Sequence, residues 1–221
     1  MNNLFNAIKS NLIAGGAYSL VIKALISTLV LTVLAVIIAC VVGAVLSYFM
    51  CYEYKYISAV ASAFSFLFRS TPVLLFMLFL DFGPFRTPVI PALLTAAVAI
   101  GLYGAGHLSE LVMKSLTEHE DFKSKEIRKR LRKAFFTAAF PEGLRRSMFQ
   151  LKRLLIQLFQ WTTVAGYIGV NELTKVLSDI GNRTMYPFFS IMFSTVIYLC
   201  LTVVIELLYG FLEKKFKTED K

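Results

Sequence analysis

Two histidines, three cysteines and one tryptophan in 221 residues leave this sequence poor in the groups that usually carry chemistry. Cys40, Cys51 and Cys200 are scattered, without CxxC or metal-ligand spacing. That pattern gives no disulfide framework or zinc motif and predicts small buried apolar side chains. His107 and Glu110 could share a helix face, yet a metal needs three or four ligands and the other histidine, His119, falls in the basic loop. Nucleophile and base constellations, a Walker A loop and a Gly-rich phosphate cradle are all missing. The chain is therefore read as non-enzymatic and without a cofactor, and any nucleotide chemistry is expected in a partner. Charge is scarce as well: 17% of residues are charged and 57% apolar, where soluble domains run near a quarter and under half. That excess is too large for one soluble core and predicts an integral membrane protein.

Hydropathy predicts an all-α membrane fold in a single domain, with no internal repeat and no low-complexity segment. Residues 1–17 read as an amphipathic lead-in, with Leu4, Ile8 and Leu12 at helical spacing. Spanning helices are expected at about 19–50, 57–83, 90–112, 151–170 and 188–212, each at least as long as the roughly 20 apolar residues that cross a bilayer, the first with some tilt. The second is interrupted by Arg69 and by Pro72, which disfavours helical geometry at Thr71, so a bend is expected there. Ala39 and Gly43 could form a close-packing face on the first helix, and Lys23 is expected to snorkel. No A-x-A-like cleavage site follows the first apolar run, so that helix is expected to double as an uncleaved insertion signal.

The formal charge of +9 would suggest a nucleic-acid partner in a soluble protein, but here its distribution matters more than its total, and no nucleic acid is expected. About half of all Lys and Arg falls between Lys114 and Arg153, within a loop expected over 113–150. Clustered basic residues resist translocation, which places this loop in the cytoplasm, the N-terminus outside, and the C-terminus, with its charged tail 213–221, inside. Within the loop Ile127, Leu131, Phe135 and Ala138 or Ala139 recur at steps of three and four among Arg128, Lys129, Arg130, Arg132 and Lys133. Such spacing predicts a short cationic amphipathic helix that either lies on anionic lipid or docks into a soluble partner.

Four segments bear on that choice. "FRSTPVLLFMLF…FG" resembles the Phe-Arg-Gly-Thr-Pro signature of the polar amino acid family of bacterial ABC transporter permeases, the group with histidine and glutamine permeases. "FPEGLRRSM", "YIGVNELTK" and "NRTMYPF" resemble further segments of that family, in its order and at its spacing, from about Ala17 to Lys217. The resemblance implies a five-helix type I importer fold in a bacterial inner membrane, and a permease subunit in alternating access. As partners it implies a cytoplasmic ABC ATPase subunit, a second permease chain (homo- or heterodimer) and an extracytoplasmic substrate-binding protein, with an amino acid as substrate. Carried onto this sequence, it gives Phe68, Arg69, Thr71, Pro72, Gly169 and Glu172 as motif positions, and Ile127, Arg128, Leu131, Phe135 and Pro141 as the surface coupling to the ATPase.

The match departs from the family in two places. Counting back from Phe140 and Pro141, the family's Glu-Ala-Ala falls on Phe122, Lys123 and Ser124, and its Gly on Arg128. A Gly at a tight turn permits φ > 0 at little cost, whereas Arg there implies strain or a rebuilt turn. A remodelled coupling surface is therefore expected, either specialised for one ATPase or belonging to the weaker half of a heterodimer. The family's Lys-Asp ahead of Thr-Ser falls on Gln160 and Trp161, before Thr162 and Thr163. The substrate pathway is accordingly expected around Trp161, Thr162 and Thr163, with Asp81 and Glu110.

Charges within spanning segments face a cavity or an opposite charge. Glu110 is expected either in the pathway or gate, or paired with an Arg at the edge of the basic loop. Asp81, near the outer surface, either attracts a cationic substrate or is solvated. Glu206 is expected to be structural, and Glu172 to order the short outer segment. The rival reading is a non-transporting anchor or regulatory subunit, a degenerate permease whose basic loop binds lipid. An ion channel has little support, since no helix carries a ring-forming polar stripe.

Overall fold

The computed structural model describes residues 17–86, 90–118 and 124–218, and of Phe189 and residues 212–218 the backbone alone. The lead-in over 1–16, His119, Phe122, Lys123 and the end of the tail lie outside the described residues. What is described is helical, with no strand among it. Helix α1 (Ala17–Met50) is followed by α2 (Lys55–Ser70), α3 (Val73–Phe82) and α4 (Ala92–Thr117). The basic segment forms α5 (Lys125–Lys133), a π-helical turn (Phe135–Ala139) and α6 (Phe140–Arg146). Then come α7 (Met148–Trp161), a 3₁₀ segment (Thr162–Ile168), α8 (Leu173–Thr184) and α9 (Pro187–Thr218).

Helices α1 and α4 form the centre. They run parallel, because partners rise together along both: Gly101 lies against Ala35 and Ile38, Gly104 against Ala39, Gly43 against Ala105 and Leu108, and Cys51 against Met113. Small residues permit this approach. A Cβ on Gly101 would come within 2.6 Å of the Ile38 side chain, and one on Gly104 within 2.8 Å of the Ala39 Cβ. The close-packing face expected at Ala39 and Gly43 is thus present, and its counterpart is the glycine row of α4.

The chain bends by 101° between α2 and α3. Thr71 is extended at ψ 128°, as the residue before proline prefers, and Pro72 at φ −56° starts the next helix. Ser65 ties α2 to α4 by bonds to Gly106 O (3.1 Å) and Ser109 Oγ (2.8 Å).

The described residues hold three helices long and apolar enough to cross a membrane, Ala17–Met50, Ala92–Thr117 and Ser190–Phe211, or four if the bent pair is one span. The remaining rod, expected as one helix over 151–170, is instead α7 followed by a 3₁₀ turn. Together the two cover about 35 Å at their usual rises, enough for the hydrocarbon core. The 3₁₀ turn ends at Gly169, whose φ of 90° suits glycine.

The basic segment also departs from the single amphipathic helix expected of it. Ala134, at φ −108° and ψ 28°, ends α5, and Pro141 stands at the start of α6 where a missing N–H costs nothing. Arg128 sits inside α5, and positive φ among the described residues occurs only at Gly169 and Met185, so no left-handed strain arises at the position where the family has Gly. Cysteine burial is likewise corrected: Cys51 is buried, but Cys40 and Cys200 lie on exposed helix faces.

Candidate functional site: a polar stripe on the central helix

One face of α4 turns Gly101 and Gly104 to α1; another carries Tyr103, His107 and Glu110, at steps of four and three. Across from it, α7 presents Gln157 and Trp161, one turn apart. Gln157 Nε2 donates to Tyr103 Oη at 2.7 Å, and the Trp161 and Tyr103 rings meet edge to face with centroids 5.9 Å apart. Tyr103 also meets the His107 ring at 4.6 Å. From α2, Arg69 Nη1 donates to Glu110 Oε2 at 2.7 Å, and its guanidinium lies 5.5 Å from the Phe66 ring centre. Six polar or aromatic side chains from three helices thereby form one continuous stripe.

This stripe is incompletely satisfied. Arg69 Nε, His107 Nε2 and Trp161 Nε1 are buried without a hydrogen-bond partner among the described residues. Orphaned polar atoms at membrane depth are costly and call for a ligand, water or another chain. The ion pair is only half-buried, with Arg69 31% and Glu110 44% exposed, so the stripe opens onto the surface of this chain instead of ending in its core. Chemically it offers a cation, a carboxylate, two unused ring nitrogens and aromatic faces within one patch.

Glu110 pairs with Arg69 of α2, which corrects the expected pairing with an Arg at the loop's edge. Trp161 joins the stripe. Thr162 does not, being fully buried and bonded to Phe159 O (2.7 Å) and Tyr198 Oη (3.4 Å). Thr163 turns back on Gln160 O, and Asp81 lies near the end of α3, partly exposed and outside the stripe. Among the motif positions, Phe68 bridges the bend through Phe64 and Phe76, at 6.1 and 6.2 Å, and Thr71 bonds Leu67 O at 2.7 Å. Glu172 caps α8, accepting from Thr174 N (2.7 Å), Lys175 N (2.6 Å) and Tyr198 Oη (3.2 Å), which is the ordering role expected of it. Glu206 is exposed on α9.

The expected coupling surface is divided. Phe135 is 1% exposed, packed edge to face on Tyr48 (5.6 Å) and tilted on Phe140 (5.7 Å), which corrects its expected place on a docking face. The π turn shifts the register, so Phe136, 58% exposed, shows itself instead, and Pro141 is exposed as well. Ile127 and Leu131 are half-buried, Leu131 against the core. Arg128 Nη1 donates to Tyr52 O at 3.1 Å, and Arg132 bonds Glu53 at 3.0 Å while its guanidinium lies 4.4 Å over the Tyr52 ring. Glu53 is held below the ordinary carboxylate range, first by its own backbone N–H and then by Arg132. The basic segment is thus fastened to the turn between α1 and α2, and both lie on the same side of the bundle.

Sequence reasoning missed Tyr103, Gln157, Arg69 as Glu110's partner, Phe136 and the Tyr52–Glu53 anchor. The steps 103–107–110 and 157–161 were a readable signal for the stripe, but the pairing of α4 with α7 was not.

No family model matches the sequence, and no curated protein does. Solved structures do. The chain is similar to a subunit of an amino acid ABC transporter crystallised with histidines, at a TM-score of 0.75 and 22% identity over 90% of this chain and 94% of that one. It is also similar to the MetNI methionine ABC transporter in inward-facing conformations, at TM-scores of 0.70 and 0.68 and identities of 18% and 15%, covering 91% of this chain and 98% of that chain in both. The fold is therefore the all-α membrane fold of ABC importer transmembrane subunits.

Proposed function

We propose that this chain is the transmembrane permease subunit of an ATP-driven importer for a polar amino acid. The observation that carries the reading is the Arg69, His107, Glu110 and Trp161 stripe, which holds a cation, an anion and unused ring nitrogens where a spanning helix would otherwise be apolar. A zwitterion suits it: its carboxylate complements Arg69, its ammonium Glu110, and an aromatic wall excludes water. Each end of that substrate would exchange the internal ion pair for an external one.

ATP hydrolysis belongs to a cytoplasmic partner in this reading, and the exposed Phe136 and Pro141 form the surface on which that ATPase docks. Alternating access then requires the ATPase to hold this surface differently in its two states, because a ligand that binds both states equally shifts nothing. A second permease chain completes the pathway across the half-open stripe, and a substrate-binding protein delivers the amino acid from outside. The basic segment and the α1–α2 turn share one side; the positive-inside rule puts that side in the cytoplasm of a bacterial inner membrane, with the N-terminus outside.

The deciding experiment is capture of the full chain from its native membrane in mild detergent, followed by a high-salt wash and mass spectrometry. The expected result is an ATPase subunit with a Walker A loop that survives the wash but is lost from a Phe136→Asp variant. Recovery of no ATPase from wild type would overturn the importer reading in favour of an anchor subunit.

A further inference from the structure

The turn joining α1 to α2 carries two unlike cavities. One, of about 610 Å³, opens between Tyr52, Glu53 and Tyr54 on the turn and Lys125, Lys129 and Arg132 on α5. The other, of about 370 Å³, is an apolar groove between Phe49 at the end of α1 and Ile57, Val60 and Phe64 on α2. Residues 49–57 thus supply walls to both.

The charges in the first cavity are unevenly engaged. Arg132 is committed to Glu53. Glu126 occupies the first turn of α5, where the helix dipole favours a carboxylate. Lys125 and Lys129, one turn apart, are exposed and in no ion pair among the described residues. They stand beside tyrosines at the end of a spanning helix, which is the depth at which headgroups lie.

We propose that the two cavities together hold one anionic phospholipid, its phosphate between Lys125 and Lys129 and an acyl chain in the groove of Phe49, Ile57, Val60 and Phe64. A soluble anion would leave the groove unfilled, and an uncharged lipid would leave the cavity's three cations, Lys125, Lys129 and Arg132, facing only two carboxylates, Glu53 and Glu126. Two Lys at a membrane surface strengthen attachment to anionic lipid by roughly 30-fold. The proposal does not depend on transport, and a failure of either reading leaves the other standing.

 The lipid site and the stripe share no residue.

The test uses the full chain purified in mild detergent, with phosphatidylglycerol and phosphatidylcholine of equal chain length as probes and native mass spectrometry as the readout. The expected result is at least tenfold preferential retention of phosphatidylglycerol, reduced to near parity by Lys125→Gln with Lys129→Gln and kept by the paired Arg variants. Both lysines are exposed, so these variants keep the fold, which size-exclusion chromatography checks. Val60→Trp, which fills the groove, should lower retention of both lipids. Equal retention of the two lipids by wild type, or a preference unchanged by the lysine substitutions, would overturn the proposal. So would displacement of the lipid by millimolar glycerol phosphate, which would make this a soluble-anion site.

Discussion

Arg69 of α2 and Glu110 of α4 are joined at 2.7 Å immediately before the chain bends at Thr71 and Pro72. The pair therefore fastens the bend to the central helix while remaining open to the surface. Neutralising one partner by Arg69→Gln or Glu110→Gln should destabilise the protein by about 1–2 kcal/mol, between the values for exposed and buried pairs. Exchanging the charges, Arg69→Glu with Glu110→Arg, should recover most of that loss. Thermal unfolding in detergent checks both; additive losses in the exchanged variant would mean that the two charges do not interact.

Gly101→Val should be more damaging, by roughly 2 kcal/mol or more, because its Cβ alone would meet Ile38 at 2.6 Å in a seam with no slack. Gly210, with open space around it, is the control, and its alanine variant should match wild type. Equal melting temperatures for Gly101→Val and Gly210→Ala would disprove the seam.

Two left-handed positions give opposite signs. Gly169→Ala forces a side chain into φ 90° and should cost about 1 kcal/mol, whereas Met185→Gly relieves φ 62° at an exposed helix end and should gain a similar amount. Chemical denaturation of the two variants beside wild type measures the difference.

How far the sequence was legible follows from which interactions are local. The break at Pro72 was readable because a proline restricts its neighbour wherever it occurs. The small residues of α1 were readable too, but not the glycines they meet, since that depends on which helices are neighbours. Phe135 went astray for a related reason: its spacing fits an amphipathic helix, and the end of α5 at Ala134 together with the π turn moved it from a surface face to the core. The stripe was only half legible, because Trp161 and Glu110 stood out as unusual residues while Tyr103 and Gln157 gain their meaning from each other.

Trp161→Phe tests the transport reading on a single N–H. The ring contact with Tyr103 would be kept and the orphaned donor removed. If that donor meets substrate, amino acid affinity should fall about tenfold while expression and melting temperature stay unchanged. Isothermal titration with candidate polar amino acids would reveal it, and an unaltered affinity would remove Trp161 from the pathway.

Acid should loosen the basic segment. The Glu53 carboxyl is held below its ordinary range by its backbone N–H and by Arg132, so its bond is fully present above the unfolded value near about 4.3 and is lost as pH falls through the lower folded value. Hydrogen exchange over 125–133, corrected for intrinsic rate, should therefore accelerate on the acid side of that window in wild type and show no such step in Arg132→Gln. A step of equal size in both would assign the loosening to other groups.

The burial of Phe135 has a mechanical consequence. Its ring is wedged between Tyr48 of α1 and Phe140 of α6, and α1 is in turn locked to α4 by glycines that leave no room for a methyl group. A force applied at Phe136 is thus not absorbed by a pliant loop. It passes through packed rings into a closely seated pair of parallel rods, so a push on the basic segment reaches the central helices directly.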